Sequence, residues 1–289
     1  MLKSGKFSGE RSLDPGARAL RGRFFAHMLA DLACCEHKGT PLARWFEQLC
    51  NELPGTQRDQ QWREFLLGRF PRGPLRDALL DHFEELGEVP GNLLWLSLVV
   101  DPDGKIDWDT LACSEPVNLF TSPGRRGELL AFSCPDWKRL GALLILLRTR
   151  STRFSLHRRW AAKSILPYLQ IACISPPLSY IGLVLFRRIL EIYGTGQFGQ
   201  LYLSHWPANE REFRHNVRLY RLIAGRAVQR GWVSELMPGG RLLLMILLTQ
   251  PRELSVEALY ALSKHRGDPR CPRNLRRQLD RARRAYVAN

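Results

Sequence analysis

The pattern of apolar and polar residues predicts helices over the first ninety positions. Asp14 followed by Pro15 is a typical helix start, because an aspartate can cap the first turn and proline fits the first helical position. Two more amphipathic segments follow at residues 57–70 and 74–86. In the helix that starts at Asp14, apolar residues recur at helical spacing at Ala17, Leu20, Phe24, Met28 and Leu32.

The pattern changes after residue 90. Residues 92–100 are dense in Leu, Trp and Val, residues 101–104 have the composition of a turn, and apolar residues alternate with polar ones over 105–111. This order predicts a β-hairpin. A short strand at 128–132 is predicted to join it, and residues 133–136 then start another helix.

One long apolar segment, Ser164 to Phe186, contains 23 residues without a charge. A segment of that length could span a bilayer. Pro176 and Pro177 lie in its middle, and a proline pair stops a helix. We therefore expect two buried core helices joined at 175–177 and no membrane segment. The first residues lack the apolar region of a signal peptide, so a cytoplasmic location is expected.

Two further helices are predicted at residues 178–193 and 208–230, joined by a glycine-bearing loop. The second is amphipathic, with apolar residues at steps of three and four. Asn216 lies close to its polar face. That face carries Arg211, Arg214, His215, Arg218, Arg221 and Gln229.

The residues after this helix resemble the second half of a winged-helix domain. Gly231 ends the helix, residues 232–236 and 241–249 are predicted strands, and residues 237–240 are a turn with glycine at its tip. The resemblance implies that the helix at 208–230 enters a DNA major groove while the hairpin contacts the neighbouring backbone. Residues 241–249 are unusually apolar for a wing strand, so a buried strand or a helix is the alternative there.

Together these elements predict a mainly α protein with small β-hairpins, an α+β fold. We expect a helical, slightly acidic domain over 1–120 that ends in a β-hairpin. A basic domain over 121–289 would contain the winged-helix-like segment at about 178–249 and a basic C-terminal helix that Pro272 opens.

Charge is distributed unevenly over the 289 residues, whose formal net charge is +15. Residues 1–120 hold 14 Lys/Arg and 18 Asp/Glu, whereas residues 121–289 hold 29 and 10. Arginine provides most of these cations, and its guanidinium suits bidentate phosphate contacts. No acidic residue occurs from 137 to 190, so a polyanionic partner is expected to relieve the repulsion.

The candidate binding residues form three groups. Within the 208–230 helix, Arg214, Asn216 and Arg218 are the candidates for base edges, because arginine pairs with guanine and asparagine with adenine. Phosphate contacts are expected from Arg211, Arg221, Arg226 and Arg241. An upstream basic group consists of Arg148, Arg150, Arg153, Arg158, Arg159 and Lys163. Phe154, His157 and Trp160 are interleaved with it, and their rings can stack on bases or point into the core. The C-terminal helix adds Arg273, Arg276, Arg277, Arg281 and Arg284.

No catalytic motif is readable in the sequence. The seven cysteines have irregular spacing without a C-x-x-C pair, which is typical of reduced thiols, and no cofactor is predicted. A phosphate-binding loop, a dinucleotide fingerprint and a zinc-protease motif are all missing. Clustered acids could still form a two-metal nuclease site, and the candidates are Asp101, Asp103, Asp107 and Asp109.

The sequence therefore favours a non-catalytic, arginine-rich nucleic-acid-binding protein, with DNA preferred over RNA. It would act as a regulator, as a replication or mobile-element factor, or as a subunit of a nucleoprotein complex. One alternative is an adaptor subunit of a larger protein assembly, whose basic half binds an acidic partner. A second alternative is a metal-dependent nuclease.

Overall fold

The computed structural model describes residues 13–114, 134–199, 206–249, 258–262 and 270–287. Across these ranges the chain forms helices and no β-strand, so its described part is all-α. The helices are α1 Pro15–Leu32, α2 Gly39–Leu49, α3 Asp59–Leu66, α4 Gly73–His82, α5 Glu88–Gly91, α6 Leu93–Ser97, α7 Trp108–Ala112, α8 Trp137–Arg148, α9 Ser155–Ala172, α10 Leu178–Gly194, α11 Glu210–Gln229, α12 Arg241–Thr249 and α13 Arg273–Val287.

The chain folds into two compact units. Unit 1 comprises Met1–Pro102 and Pro176–Thr195, and it contains α1 to α6 together with α10. Unit 2 comprises Asp103–Ser175 and Gly196–Asn289, with α7 to α9 and α11 to α13. The domain boundary predicted at residue 120 lies outside the described residues and stays a prediction.

Helix α1 is the central helix of unit 1, and it begins as the sequence predicted. The Asp14 carboxylate accepts a hydrogen bond from the Ala17 amide at 2.9 Å, and Pro15 is the first helical residue. The helix packs against α3, α6 and α10. Its buried Phe24 meets Trp95 of α6 edge-on, with ring centroids 5.2 Å apart, which is a favourable aromatic geometry.

A buried arginine joins α10 to the rest of unit 1, although α10 begins about eighty residues after the end of α6 in the sequence. The Arg188 guanidinium pairs with Asp14 at the start of α1 and donates to the Leu98 carbonyl at 2.8 Å. It also pairs with Glu191 at 2.7 Å. Its charge is therefore compensated by two carboxylates, as a buried cation requires.

The helices of unit 2 pack against one another through their apolar faces. Helix α9 packs against α8, α11 and α12, and α12 packs in turn against α11 and α13. The six residues from Leu242 to Leu247 of α12 are all buried, so this short helix is covered on every face. A helix that is apolar all round is typical of a position inside a core.

The predicted β-hairpin at 92–111 is absent, and the α+β prediction is wrong. Residues Leu93–Ser97 form α6, whose first turn is capped by Asn92 accepting from the Leu94 amide at 2.9 Å. Residues Trp108–Ala112 form α7, capped by Asp107. Short apolar runs fit a strand or a buried helix equally well, and here two polar residues act as helix caps. The strand predicted at 128–132 lies outside the described residues.

The predicted wing is also absent. Residues 232–235 form no strand, Leu236–Gly240 is a π-helical turn, and the predicted return strand is helix α12. The apolar character of 241–249 reflects a buried helix, which was the alternative for that segment. The winged-helix interpretation of 178–249 is therefore wrong, and its groove-insertion geometry does not apply.

The predicted break in the long apolar segment is confirmed. Helix α9 ends at Ala172 and α10 begins at Leu178, with the proline pair between them. In the described ranges, no helix is both long enough and apolar enough to cross a membrane.

A cluster of titratable groups joins α1 and α10 in unit 1. The Nδ1 atoms of His27 and His37 lie 2.8 Å apart, and His37 Nε2 is 3.0 Å from the Asp31 carboxylate. The hydroxyl of Tyr180 donates to the same carboxylate at 2.9 Å. Burial, with smaller contributions from the His37 and Arg23 charges, lowers the pKa of His27 to about 4, and Asp31 opposes the shift.

This cluster predicts an acid-sensitive unit 1. Because the folded-state pKa of His27 lies below its unfolded value of 6.5, stability is fully present above pH 6.5 and is lost as the pH falls towards 4. After discounting for solvent screening of a partly exposed ring, we expect a loss of roughly 2 kcal/mol. Urea unfolding of the wild type and His27→Gln at pH 7.5, 6 and 5 measures it. A wild-type pH dependence identical to that of the variant would contradict the assignment.

Candidate nucleic-acid interface

Helix α11 is the longest described helix of unit 2, and both of its ends are defined by local signals. Asn209 caps the start by accepting from the Glu212 amide at 3.0 Å, and the Glu212 carboxylate accepts from the Ala208 amide at 2.8 Å. Gly231, with φ +67°, follows its end. The buried side of the helix packs against α9 and α12 through Phe213, Ile223, Ala224 and Ala227.

The outer side of α11 carries an arginine stripe, which consists of Arg211, Arg214, Arg218 and Arg221. Their spacing of three, four and three places them on one helix face, and all four are exposed. Ten residues separate the first from the last, a rise of roughly 15 Å. The stripe is therefore a row of cations on a rigid support.

Two shallow grooves run along this stripe. The first is lined by Arg211, Arg214 and Arg218, with His215 beside them. Glu210 and Glu212 lie at its N-terminal end. Arg218 also borders the second groove, which is lined by Arg221, Leu222, Gly225, Arg226 and Gln229.

The stripe is poorly neutralised by the protein itself. In the part of the chain that the structure describes, no carboxylate forms an ion pair with Arg211, Arg214 or Arg218. Arg221 donates through Nε to the Ile174 carbonyl, which holds the side chain but leaves its charge uncompensated. Half-buried Arg226 donates to the Leu262 carbonyl at 2.9 Å. Half-buried Asn216 was predicted to reach base edges, and no structural observation tests that role.

The upstream basic group is divided between the surface and the interior. Arg150, Arg153, Arg159 and Lys163 are exposed. Arg158 is half-buried and donates to the Ser151 carbonyl at 2.6 Å.

The rings interleaved with this group are not free stacking platforms. Phe154 is buried, and Arg153 lies 5.4 Å from its ring centroid. His157 and Trp160 are half-buried. The cations of this segment face solvent more fully than its aromatic rings do.

Arg148 belongs to the interior of unit 2. Only 2% of it is exposed, and its guanidinium lies 3.8 Å from the Trp108 ring centroid, a close cation–π contact. It also donates to Gln197. These contacts join α8 to α7 and to the loop at 197, so Arg148 is not part of the exposed surface.

Arg241 is a second interior cation, at the start of α12. Its guanidinium donates to the Pro135 carbonyl at 2.9 Å, to the Ala172 carbonyl at 3.4 Å and to the Ser175 hydroxyl. Burial lowers its pKa from the ordinary value, and the neighbouring Cys134 and Asp136 oppose that shift. It connects the start of α8, the end of α9 and α12, and it is also absent from the exposed surface.

The C-terminal helix is confirmed, and α13 packs against α12 through buried Leu275, Leu279 and Ala282. The predicted seam residue Tyr286 has a side chain outside the described part. The other face presents the five predicted arginines, all exposed: Arg273, Arg276, Arg277, Arg281 and Arg284.

Two of the four acidic residues considered for a nuclease site, Asp107 and Asp109, cap a helix and a loop. The Asp107 carboxylate accepts from the Thr110 hydroxyl at 2.7 Å and amide at 3.0 Å, and these hydrogen bonds lower its pKa. Asp109 accepts from the Arg150 and Ser151 amides. Over the described ranges, no group of three or more His, Cys, Asp or Glu side chains has a geometry that could hold a metal ion.

Sequence reasoning omitted two residues from the candidate surface, His215 and Leu222. Both line the grooves of α11. His215 was visible as a member of the polar face. Leu222, which is 48% exposed, lies beside Arg218 and Arg221 although apolar residues were expected on the opposite side.

No protein-family model matches the chain, and no curated protein or solved structure is significantly similar to it.

The division of arginines into interior and surface groups predicts different stability effects. Arg241→Met leaves two carbonyls and a hydroxyl without their buried donor, so we expect a loss of about 3 kcal/mol. Arg214→Met at the exposed stripe should change stability by less than about 0.5 kcal/mol. Urea unfolding of both variants, followed by tryptophan fluorescence, measures the difference. Equal unfolding midpoints would show that Arg241 is not a structural cation.

Proposed function

We propose that this protein is a non-catalytic nucleic-acid-binding protein whose primary contact surface is the arginine stripe of α11. The observation that carries the proposal is the row of four exposed arginines, none of which has an ion-pair partner among the described residues. Guanidinium groups bind phosphate oxygens in a bidentate manner. A helix holds their Cα atoms at fixed spacing, so the backbone does not have to be ordered on binding.

The distribution of net charge between the two units supports the same proposal. The segments of unit 1 contain 15 Lys/Arg and 15 Asp/Glu, so that unit is formally neutral. Those of unit 2 contain 28 and 13, which accounts for the whole net charge of +15. A unit with that excess of cations attracts polyanions over distances of about a Debye length, roughly 8 to 10 Å at physiological salt.

The stripe suits the phosphate backbone rather than the bases. Its length of roughly 15 Å corresponds to about four phosphates at 3.4 Å of axial rise per nucleotide. Since the wing is absent, we retain no groove-insertion geometry and no preference for DNA over RNA. Exposed arginines of α13 and of the segment 150–163 would extend the contact to a longer strand.

A second candidate function is docking of an acidic protein segment in an assembly. Leu219 and Leu222 are 37% and 48% exposed and lie next to arginines of the stripe. An amphipathic partner with acidic and apolar residues would match both features. Absence of any binding to DNA and RNA at 50 mM salt would favour this candidate over the first.

Fluorescence anisotropy with a labelled 20-nucleotide strand and a 20-base-pair duplex, at 50 to 200 mM NaCl, tests the proposal. We expect Arg214→Ala/Arg218→Ala to weaken binding by roughly tenfold or more at low salt. Each lost phosphate contact should reduce the slope of log K against log salt by about 1, so the double variant should reduce it by about 2.

The matched control is Arg44→Ala/Arg58→Ala, which removes two exposed arginines from unit 1. It lowers the net charge of the protein by the same amount, and its affinity should stay within twofold of the wild type. Equal weakening in both double variants would mean that net charge alone drives binding, and it would contradict a defined surface on α11.

A further inference from the structure

Four arginines line a cavity of about 580 Å³ in unit 1. The unit as a whole is formally neutral. Arg18 and Arg21 project from α1, whereas Arg69 and Arg72 come from the segment between α3 and α4. None of its lining residues, all in the described part of the chain, is acidic. The volume is typical of sites that hold a small ligand.

The end of α3 fixes the position of Arg69. The Gly68 amide donates to the Phe65 carbonyl at 3.0 Å, and the Arg69 amide donates to the Glu64 carbonyl at 2.9 Å. This pair of bonds is a Schellman motif, which requires a left-handed residue such as Gly68, whose φ is +118°. The motif turns the chain so that Arg69 leaves the helix towards α1.

A close glycine contact holds this turn against α1. A Cβ added at Gly22 would lie 2.1 Å from the Gly68 carbonyl oxygen, and one added at Gly68 would lie 2.6 Å from the Ala19 carbonyl oxygen. Only glycine fits at either position. Arg23 adds a hydrogen bond of 3.0 Å from Nε to the Leu67 carbonyl. The walls of the cavity are therefore preformed.

The four guanidinium groups have different environments. Arg18 and Arg72 are exposed, and no described carboxylate forms an ion pair with either. Arg69 pairs with Glu64 at the surface. Arg21 is 4% exposed, and its guanidinium carbon lies 4.5 Å from the Phe70 ring centroid.

The aromatic residue of the cavity is already engaged. Phe70 contacts Arg21 and also Phe25, whose ring centroid is 4.9 Å away. Its ring is therefore not free to stack on a base. The cavity offers cations to an anionic group and no aromatic platform to a nucleobase.

We propose that this arginine cavity of unit 1 binds a di- or triphosphate group. Arginines recognise phosphate oxygens through paired N–H donors, and Arg18 and Arg72 are exposed at this cavity without an ion pair to a described carboxylate. The group could belong to inorganic polyphosphate or to a nucleotide. This site lies in a different unit from the α11 stripe, so the two functions are separable.

Isothermal titration calorimetry of the full chain with tripolyphosphate, in 50 mM NaCl, tests the proposal. We expect Arg18→Ala/Arg72→Ala to raise the Kd at least tenfold, and both residues are exposed, so its melting temperature should match that of the wild type. Arg44→Ala/Arg58→Ala and Arg214→Ala/Arg218→Ala should stay within twofold of the wild type.

Nucleotide titrations distinguish the source of the phosphate group. A nucleoside triphosphate that binds more tightly than tripolyphosphate assigns the group to a nucleotide, and equal or weaker binding assigns it to polyphosphate. Both results support the site when Arg18→Ala/Arg72→Ala raises the Kd at least tenfold. Three results would overturn it: no wild-type binding, a loss confined to Arg214→Ala/Arg218→Ala, or a nucleoside monophosphate that binds as tightly as the triphosphate.

Discussion

A buried cation, the guanidinium of Arg241, organises the interior of unit 2. It donates to the segment before α8, to the end of α9 and to Ser175, and α12 follows directly from it. Helix α12 lies against α11, and α11 presents the arginine stripe on its other side. Burying a charge is costly, and these hydrogen bonds offset part of that cost, while Nε of Arg241 has no hydrogen-bond partner among the described residues. The helix that carries the proposed phosphate-binding surface is thus supported by a buried arginine that is not itself part of that surface.

The same residue type serves two purposes in this chain. Arg148, Arg188 and Arg241 are buried, and they join helices through carbonyls, carboxylates or an aromatic ring. The exposed arginines of α11 and α13 have apolar residues on the opposite helix face, which anchor them to the core. Net charge alone does not separate these groups. Burial separates them, and it also explains why a count of cations in the sequence overstates the size of a binding surface.

The sequence predicted much of the helical framework because capping and periodicity act locally. Asp14–Pro15, the break at Pro176–Pro177, the limits of α11 and the C-terminal helix could all be predicted. The hairpin and wing predictions failed because segments this short fit a strand or a buried helix equally well, and tertiary burial made them helices. The exposed arginine positions on α11 followed from its amphipathic pattern. The burial of Arg241 could not be predicted, since its acceptors lie 66 to 106 residues away.

Arginine-selective labelling with phenylglyoxal, read by mass spectrometry, tests most directly whether the stripe of α11 contacts nucleic acid. The rate at each arginine is measured with and without a saturating 20-nucleotide strand. We expect the strand to slow labelling severalfold at Arg214 and Arg218 and to leave the rate at Arg44 unchanged. Labelling at Arg214 and Arg218 that is unaffected by a bound strand would contradict that contact.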